Sequence, residues 1–234
     1  KSDVESDFER FPCFESNCMS KFREIRCQNI NNVIVGNLNI NSLSSKHDDL
    51  KMLISGNFDI FIITETKLDN TFPSSQFFIE GFSPPYRLDR NRNGGGIMIF
   101  VREDIPSKLL TKHVFPDDIE GLFLEINFRK TKWLLYGTYH PPSQCDQYFF
   151  DNVDKALDVY IGYENLLLVG DFNAQEGETI FDTFLYQHEL KAINKQPTCY
   201  KNVDNPSCVD IFLTNKPKLF FKSESLFTGL SDCH

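Results

Sequence analysis

Short runs of apolar residues recur along this chain, nearly free of polar interruptions, and each ends abruptly in polar side chains. "NLLLVGDFNAQ" at 165–175 sets Leu166 to Val169 in line ahead of a glycine, an aspartate and an asparagine. "FDIFIITET" at 58–66 closes on Glu65, and "VIVGNLNIN" at 33–41 closes on asparagines. A run that does not alternate with polar residues reads as a strand buried on both faces. Such strands need cover above and below, so the chain must stack layers on each side of its sheets.

The segments between the strands supply the cover. "SSKHDDLKMLIS" at 44–55 reads as a helix, with Ser45 and Asp48 at capping-box spacing and Leu50, Leu53 and Ile54 on one face. A second helix is expected over about 145–161, where Phe149, Val153, Ala156, Leu157 and Tyr160 fall at helical spacing. A third carries Phe181, Phe184, Leu185 and His188. "GGGIMIFVRE" gives another strand, and residues 119–142 read as a hairpin turning near Arg129 to Thr131. "SCVDIFLTN" (207–215) and "KLFFKSESLFT" (218–228) are the last expected strands, and residues 1–30 read as a poorly ordered lead-in. Strands interleaved with few helices, some joined as hairpins, imply an α/β or α+β fold of two packed mixed sheets with helices outside. At 234 residues the chain suits one large domain.

A net charge of −9 argues against a module that grips nucleic acid by broad phosphate neutralisation. It leaves room for a hydrolase whose bound cation supplies positive charge locally. The seven cysteines are scattered without a C-x-x-C pair, which reads as free thiols in a reducing, intracellular compartment. No apolar run approaches the roughly 20 residues of a membrane span, so no membrane partner is expected. The chain opens at Lys1 without a methionine and reads as a fragment, so a targeting segment is not visible in it.

Taken singly, an aspartate or asparagine after a strand is an ordinary turn former or cap, and a tyrosine an ordinary core aromatic. Taken together, Asn39, Glu65, Tyr139, Asp171 and Asn173 each end a buried run. Asp210 sits within "CVDIFL", and "SDCH" closes the chain with Asp232 and His234. Sites in open sheets lie where the strands give way to loops. The residue types suit phosphodiester hydrolysis. A carboxylate offers hard oxygen to Mg²⁺, and a second can deprotonate a water. An amide and a hydroxyl can donate to phosphate oxygens as charge develops, and an Asp–His pair can carry a proton. No phosphate-binding glycine loop, zinc-protease helix or nucleophile elbow occurs.

The ordered set "LNIN", "ITET", "GTYHPP", "LVGDFNA", "CVDIFLTN" and "GLSDCH" resembles the endonuclease/exonuclease/phosphatase superfamily over roughly residues 30–234. It is most similar to the apurinic-type endonuclease domain of non-LTR (LINE-type) retrotransposons, with "GGGIMIFV" and "FLTN" fitting that branch. The resemblance implies a four-layer sandwich, two mixed β-sheets face to face with helices outside, over 31–234. It implies a Mg²⁺-dependent DNA endonuclease, with Mn²⁺ a possible substitute, whose nick leaves a 3′-hydroxyl that primes reverse transcription. DNA would then be the partner, the nucleus the place of action, and a reverse transcriptase domain of the same polyprotein would lie outside this chain. By motif, Glu65 would be the main metal ligand with Asn39, and Asp232 would sit beside the metal. Tyr139 would contact the phosphate, Asp171 activate the water, Asn173 stabilise the transition state, and Asp210 orient His234. The alternatives are a phosphatase or phosphodiesterase of the same fold, and a catalytically dead retroelement remnant.

Three positions depart from the family pattern. Asn41 stands where repair-type relatives carry an acid, and Pro142 where relatives often carry asparagine. Cys233 separates an aspartate and a histidine that are usually adjacent, which a bulge can absorb with His234 rather than Cys233 serving Asp210. The chain is expected to stop before the family's last strand. Elsewhere, Arg87, Arg90 and Arg92 ahead of the glycine run suit either a solvated hairpin loop or a DNA-backbone contact. His140 follows Tyr139, and strand alternation points it to the opposite face.

Overall fold

The computed structural model describes residues 18–231, apart from 201–203 and 205. Asp232 and His234 therefore lie outside the described residues, as do residues 1–17 of the expected lead-in. The elements in order are α1 (Met19–Gln28), β1 (Val35–Asn39), α2 (His47–Ile54), β2 (Ile60–Thr64), β3 (Tyr86–Leu88), β4 (Ile97–Val101) and β5 (Ser107–Leu110). They continue as β6 (Glu120–Phe128), β7 (Thr131–Tyr139), α3 (Asp146–Val159), β8 (Leu166–Asp171), α4 (Thr179–Gln187), β9 (Lys191–Ala192) and β10 (Asp210–Thr214).

The strands form two sheets, ordered β1-β2-β4-β3 and β5-β6-β7-β8-β10-β9. Each is mixed: β1 runs parallel to β2, and β7 parallel to β8, while the other pairs are antiparallel. The apolar strands sort their side chains by parity. Ile60 and Ile62 of β2 meet Leu135, Leu167 and Val169 of the other sheet, in a core lying between the sheets. Phe61 and Ile63 point the other way, packing with Phe22, Leu50, Leu53 and Ile54 of α1 and α2. On the far side Leu134, Tyr136 and Leu168 pack against Phe149, Val153, Phe181 and Phe184 of α3 and α4. Helices, sheet, sheet, helices: this is the expected four-layer α/β sandwich. Each fully buried aliphatic or aromatic side chain contributes about 1.5–3 kcal/mol through the surface it removes from water.

The β6–β7 hairpin turns at Arg129 and Lys130, both left-handed with φ of 48° and 67°, the backbone that a tight two-residue hairpin requires. Gly170 answers why the β8 run breaks at a glycine. A Cβ there would lie 1.9 Å from the Thr138 carbonyl oxygen of β7, so a side chain is excluded just before Asp171.

Four local expectations need correction. Residues 19–28 of the lead-in form α1, held by Phe22 packed 5.2 Å from the Phe58 ring; a single buried aromatic leaves almost no periodic signal. Helix α2 starts at His47 with no side-chain cap, so Ser45 and Asp48 do not form a capping box. Residues 218–228 are not a strand. Pro217 opens a single 3₁₀ turn, β9 already occupies the edge of β10, and the Ser225 amide donates to the Gln196 side chain rather than to a ladder. The hairpin loop around the arginines begins later than expected: Tyr86–Leu88 pair with β4 as β3, which leaves residues 89–96 as the loop.

Candidate active site

The register of the larger sheet lines up four polar residues in one row. Glu120 of β6 faces Tyr139 of β7, Tyr139 faces Asp171 of β8, and Asp171 faces Asp210 of β10. All four share the parity of the inter-sheet face, since each lies two residues from a side chain of the central core or continues its alternation. In the smaller sheet Asn37 and Asn39 of β1 have the same parity as Val35, which packs against that core. Both rows therefore open at one end of the sandwich.

Alternation alone would send Glu65, the residue after Thr64 in β2, away from this cleft. Its backbone is left-handed, with φ of 53°, and this turn swings the carboxylate inward. The Asn39 side-chain amide then bridges the two sheets, donating to Glu65 Oε1 at 2.8 Å and to Asp171 Oδ2 at 2.9 Å. Asn39 Oδ1 accepts the Asn41 amide at 3.2 Å. Asn173 is also left-handed, with φ of 44°; its backbone N–H donates to Asp171 Oδ1 at 3.1 Å and its Nδ2 to the His140 carbonyl at 2.7 Å. The structure thus brings together Asn39, Glu65, Tyr139, Asp171, Asn173 and Asp210.

Electrostatics in the cleft are dominated by buried acids. Burial, and then the Glu65 and Asp171 carboxylates, hold the Tyr139 hydroxyl well above its ordinary value, so it is a firm donor at neutral pH. Burial and then the Asp171 charge push the Asp210 carboxyl well above the usual carboxylate range, against hydrogen bonds from Thr198 and Asn37 that pull it down. Asn37 Nδ2 donates to Asp210 Oδ1 at 3.1 Å. The Lys67 ammonium stands 3.6 Å from Glu65 Oε2 and donates to Asn41 Oδ1.

Because folding raises Asp210 above its unfolded value of about 4, the folded state binds the extra proton, and that contribution to stability is lost as pH rises. Asp210→Asn has no such loss. In EDTA its Tm should exceed that of the wild type by a margin that widens from pH 5 to pH 9, and a pH-independent margin would contradict the assignment.

Some residues escape a sequence reading. Asn37 is visible in the alternation of "NLNIN" and is missed only because Asn39 ends the run. Glu120 and Lys67 carry no such signal. His140 lies on the face opposite the cleft, as expected, buried under α3: its Nδ1 meets the Phe172 carbonyl at 2.8 Å and its ring stacks on Phe149 at 4.2 Å. The three arginines are engaged with carboxylates of the same chain, Arg87 with Asp89, Arg90 with Glu120, and Arg92 with Asp69.

A model of the Endonuclease/Exonuclease/phosphatase family matches residues 30–232. The chain belongs to that family. Solved structures share the fold at low identity. The endonuclease domain of TRAS1, a telomere-specific non-LTR retrotransposon, superposes with a TM-score of 0.62 at 17% identity, covering 86% of this chain and 92% of that one. The Neisseria 3′ phosphatase NExo bound to product DNA hairpin gives 0.56 at 16% identity, covering 79% and 87%. The human Nocturnin catalytic domain gives 0.57 at 14%, covering 79% and 83%. No curated protein sequence matches. Membership of this family supports a phosphoester hydrolase, acting as a nuclease or a phosphatase. Among the described residues no helix is long and apolar enough to cross a membrane.

Proposed function

We propose that the chain is a Mg²⁺-dependent DNA endonuclease domain of a non-LTR retrotransposon, nicking target DNA to leave a 3′-hydroxyl. The observation that carries this reading is the Asn39 amide joining Glu65 of one sheet to Asp171 of the other, at the same cleft as Tyr139 and Asn173. The reverse transcriptase domain of the same polyprotein would extend the end so formed, which places the action in the nucleus.

The donor set fits a hard divalent cation. The cleft concentrates carboxylates and amide oxygens, and Asp210, raised first by burial, is raised further by the Asp171 charge beside it. Among the described residues no three acidic, His or Cys side chains converge on one point. Mg²⁺ keeps several waters and takes one or two protein carboxylates. Glu65 would hold it, with Asp232 beside it, and Asn39 would join through the oxygen that here accepts the Asn41 N–H while its nitrogen faces Glu65 and Asp171. When bound, such an ion neutralises phosphate charge and stabilises the leaving oxygen.

The remaining roles belong to side chains. Asp171, fixed by Asn39 and by the Asn173 backbone, accepts a proton from the attacking water and aligns it. The Tyr139 hydroxyl, kept protonated, donates to a non-bridging phosphate oxygen. Asn173 is anchored through one N–H to His140, which leaves its other N–H for the oxygen on which charge builds. Asp210, held by Asn37, would orient His234, which lies outside the described residues, as the proton carrier. The test compares supercoiled plasmid with a small phosphate monoester, each with Mg²⁺ and with EDTA. Relaxed circles only with metal are expected. Intact plasmid beside a hydrolysed monoester would assign a phosphatase instead, and no turnover of either a dead remnant.

A further inference from the structure

Glu120 is a buried carboxylate, 3% exposed, at the first position of β6, and none of the chemistry above uses it. Burial raises its carboxyl above the usual range despite the Gly96 N–H and the Arg90 guanidinium that favour its charge. An aliphatic side chain would fill that space without the desolvation cost of a carboxylate. What a carboxylate adds is directional acceptors, and both are in use. One oxygen takes the Gly96 backbone N–H, and the other takes Arg90 Nη1 at 3.0 Å.

The glycine stretch so held is pressed between Glu120 and the turn that carries Glu65. A Cβ on Gly95 would lie 2.3 Å from Glu120 Oε1, and one on Gly96 would lie 2.3 Å from Thr66 Oγ1. Both glycines are left-handed, with φ of 70° and 92°. Across the contact the Gly96 carbonyl accepts the Thr66 N–H at 3.2 Å, and the Gly95 carbonyl accepts the Lys67 N–H at 2.9 Å. Glu65 and Lys67 on either side of Thr66 have φ of 53° and 52°, in a region that costs non-glycine residues energy. Such a backbone persists only where its surroundings determine it.

We infer that Glu120 is a positioning residue for Glu65, acting through the Gly95–Gly96 backbone that clamps the left-handed Glu65–Lys67 turn. The inference rests on the proposed cation role of Glu65. With Glu120 removed, the glycine stretch loses its anchor, the turn relaxes toward ordinary strand geometry, and the Glu65 carboxylate leaves the cleft.

The test measures Mn²⁺ affinity from the free-ion electron paramagnetic resonance signal in the wild type, Glu120→Ala, Glu120→Met and Glu120→Gln, with circular dichroism on each. Glu120→Met fills the site without an acceptor and Glu120→Gln keeps one for Gly96. Folded Ala and Met variants should bind Mn²⁺ about tenfold more weakly, the scale on which outer partners of ligating groups act, while Glu120→Gln stays within about threefold of wild type. Wild-type affinity in a folded Ala or Met variant would overturn the inference. So would a loss in Glu120→Gln as large as theirs, because the charge rather than the hydrogen bond would then be responsible. A wild type that binds no Mn²⁺ would overturn the cation reading itself, a result distinct from either.

Discussion

Asp171→Asn is expected to lower plasmid nicking at least about a hundredfold, the scale on which a positioned acid–base group contributes. The carboxylate stands at the meeting point of three interactions: Asn39 Nδ2 at 2.9 Å, the Asn173 backbone N–H at 3.1 Å, and the register with Tyr139 and Asp210 in the neighbouring strands. An asparagine fills the same volume, and its oxygen still accepts one of these donors. Removing the negative charge also relieves its repulsion of Asp210. The variant should therefore fold and melt no lower than the wild type, separating chemistry from packing. Near wild-type nicking by Asp171→Asn would remove this residue from the mechanism.

Glu65→Gln should cost activity on a similar scale at low Mg²⁺, with a different signature. The amide oxygen can still accept the Asn39 N–H that Glu65 Oε1 accepts at 2.8 Å, so the turn keeps its shape. Its charge is gone, and a neutral amide is a poorer partner for a hard cation than a carboxylate. Raising Mg²⁺ or substituting Mn²⁺ should restore a substantial part of the rate to Glu65→Gln and none to Asp171→Asn. A titration in which the Glu65→Gln rate is flat with metal concentration would contradict the ligand role.

The sequence carries the central strands because their apolar runs are long and uninterrupted: Phe61 to Thr64, Ile97 to Val101 and Leu166 to Val169 are strands in the structure. It does not carry the sorting of their faces. With Ile60 and Ile62 on one side and Phe61 and Ile63 on the other, both sides are equally apolar, and only the stacking of four layers separates them. Strands β3, β5 and β9 are short and partly exposed, so pairing with a neighbour rather than hydrophobic pattern defines them. In the cleft, Asn39, Tyr139 and Asp171 are legible as polar residues that end buried runs, and Asp210 as an acid set within an apolar one. The direction of Glu65 is not, since alternation points it outward and a left-handed backbone, invisible in the residue type, points it in. Glu120 carries no signal in the sequence, because its partner there is a glycine stretch more than twenty residues earlier in the chain.

The most direct test of the cleft's chemistry is the state of the DNA end it leaves. Supercoiled plasmid incubated with the protein and Mg²⁺ is repurified and offered to a DNA polymerase with labelled nucleotides. Nicked circles that take up label, formed with Mg²⁺ and abolished by EDTA, are the predicted result, because attack by water with the 3′ oxygen as leaving group yields an extendable 3′-hydroxyl. Plasmid that stays supercoiled across all Mg²⁺ and Mn²⁺ concentrations, or nicks that the polymerase cannot extend, would contradict it.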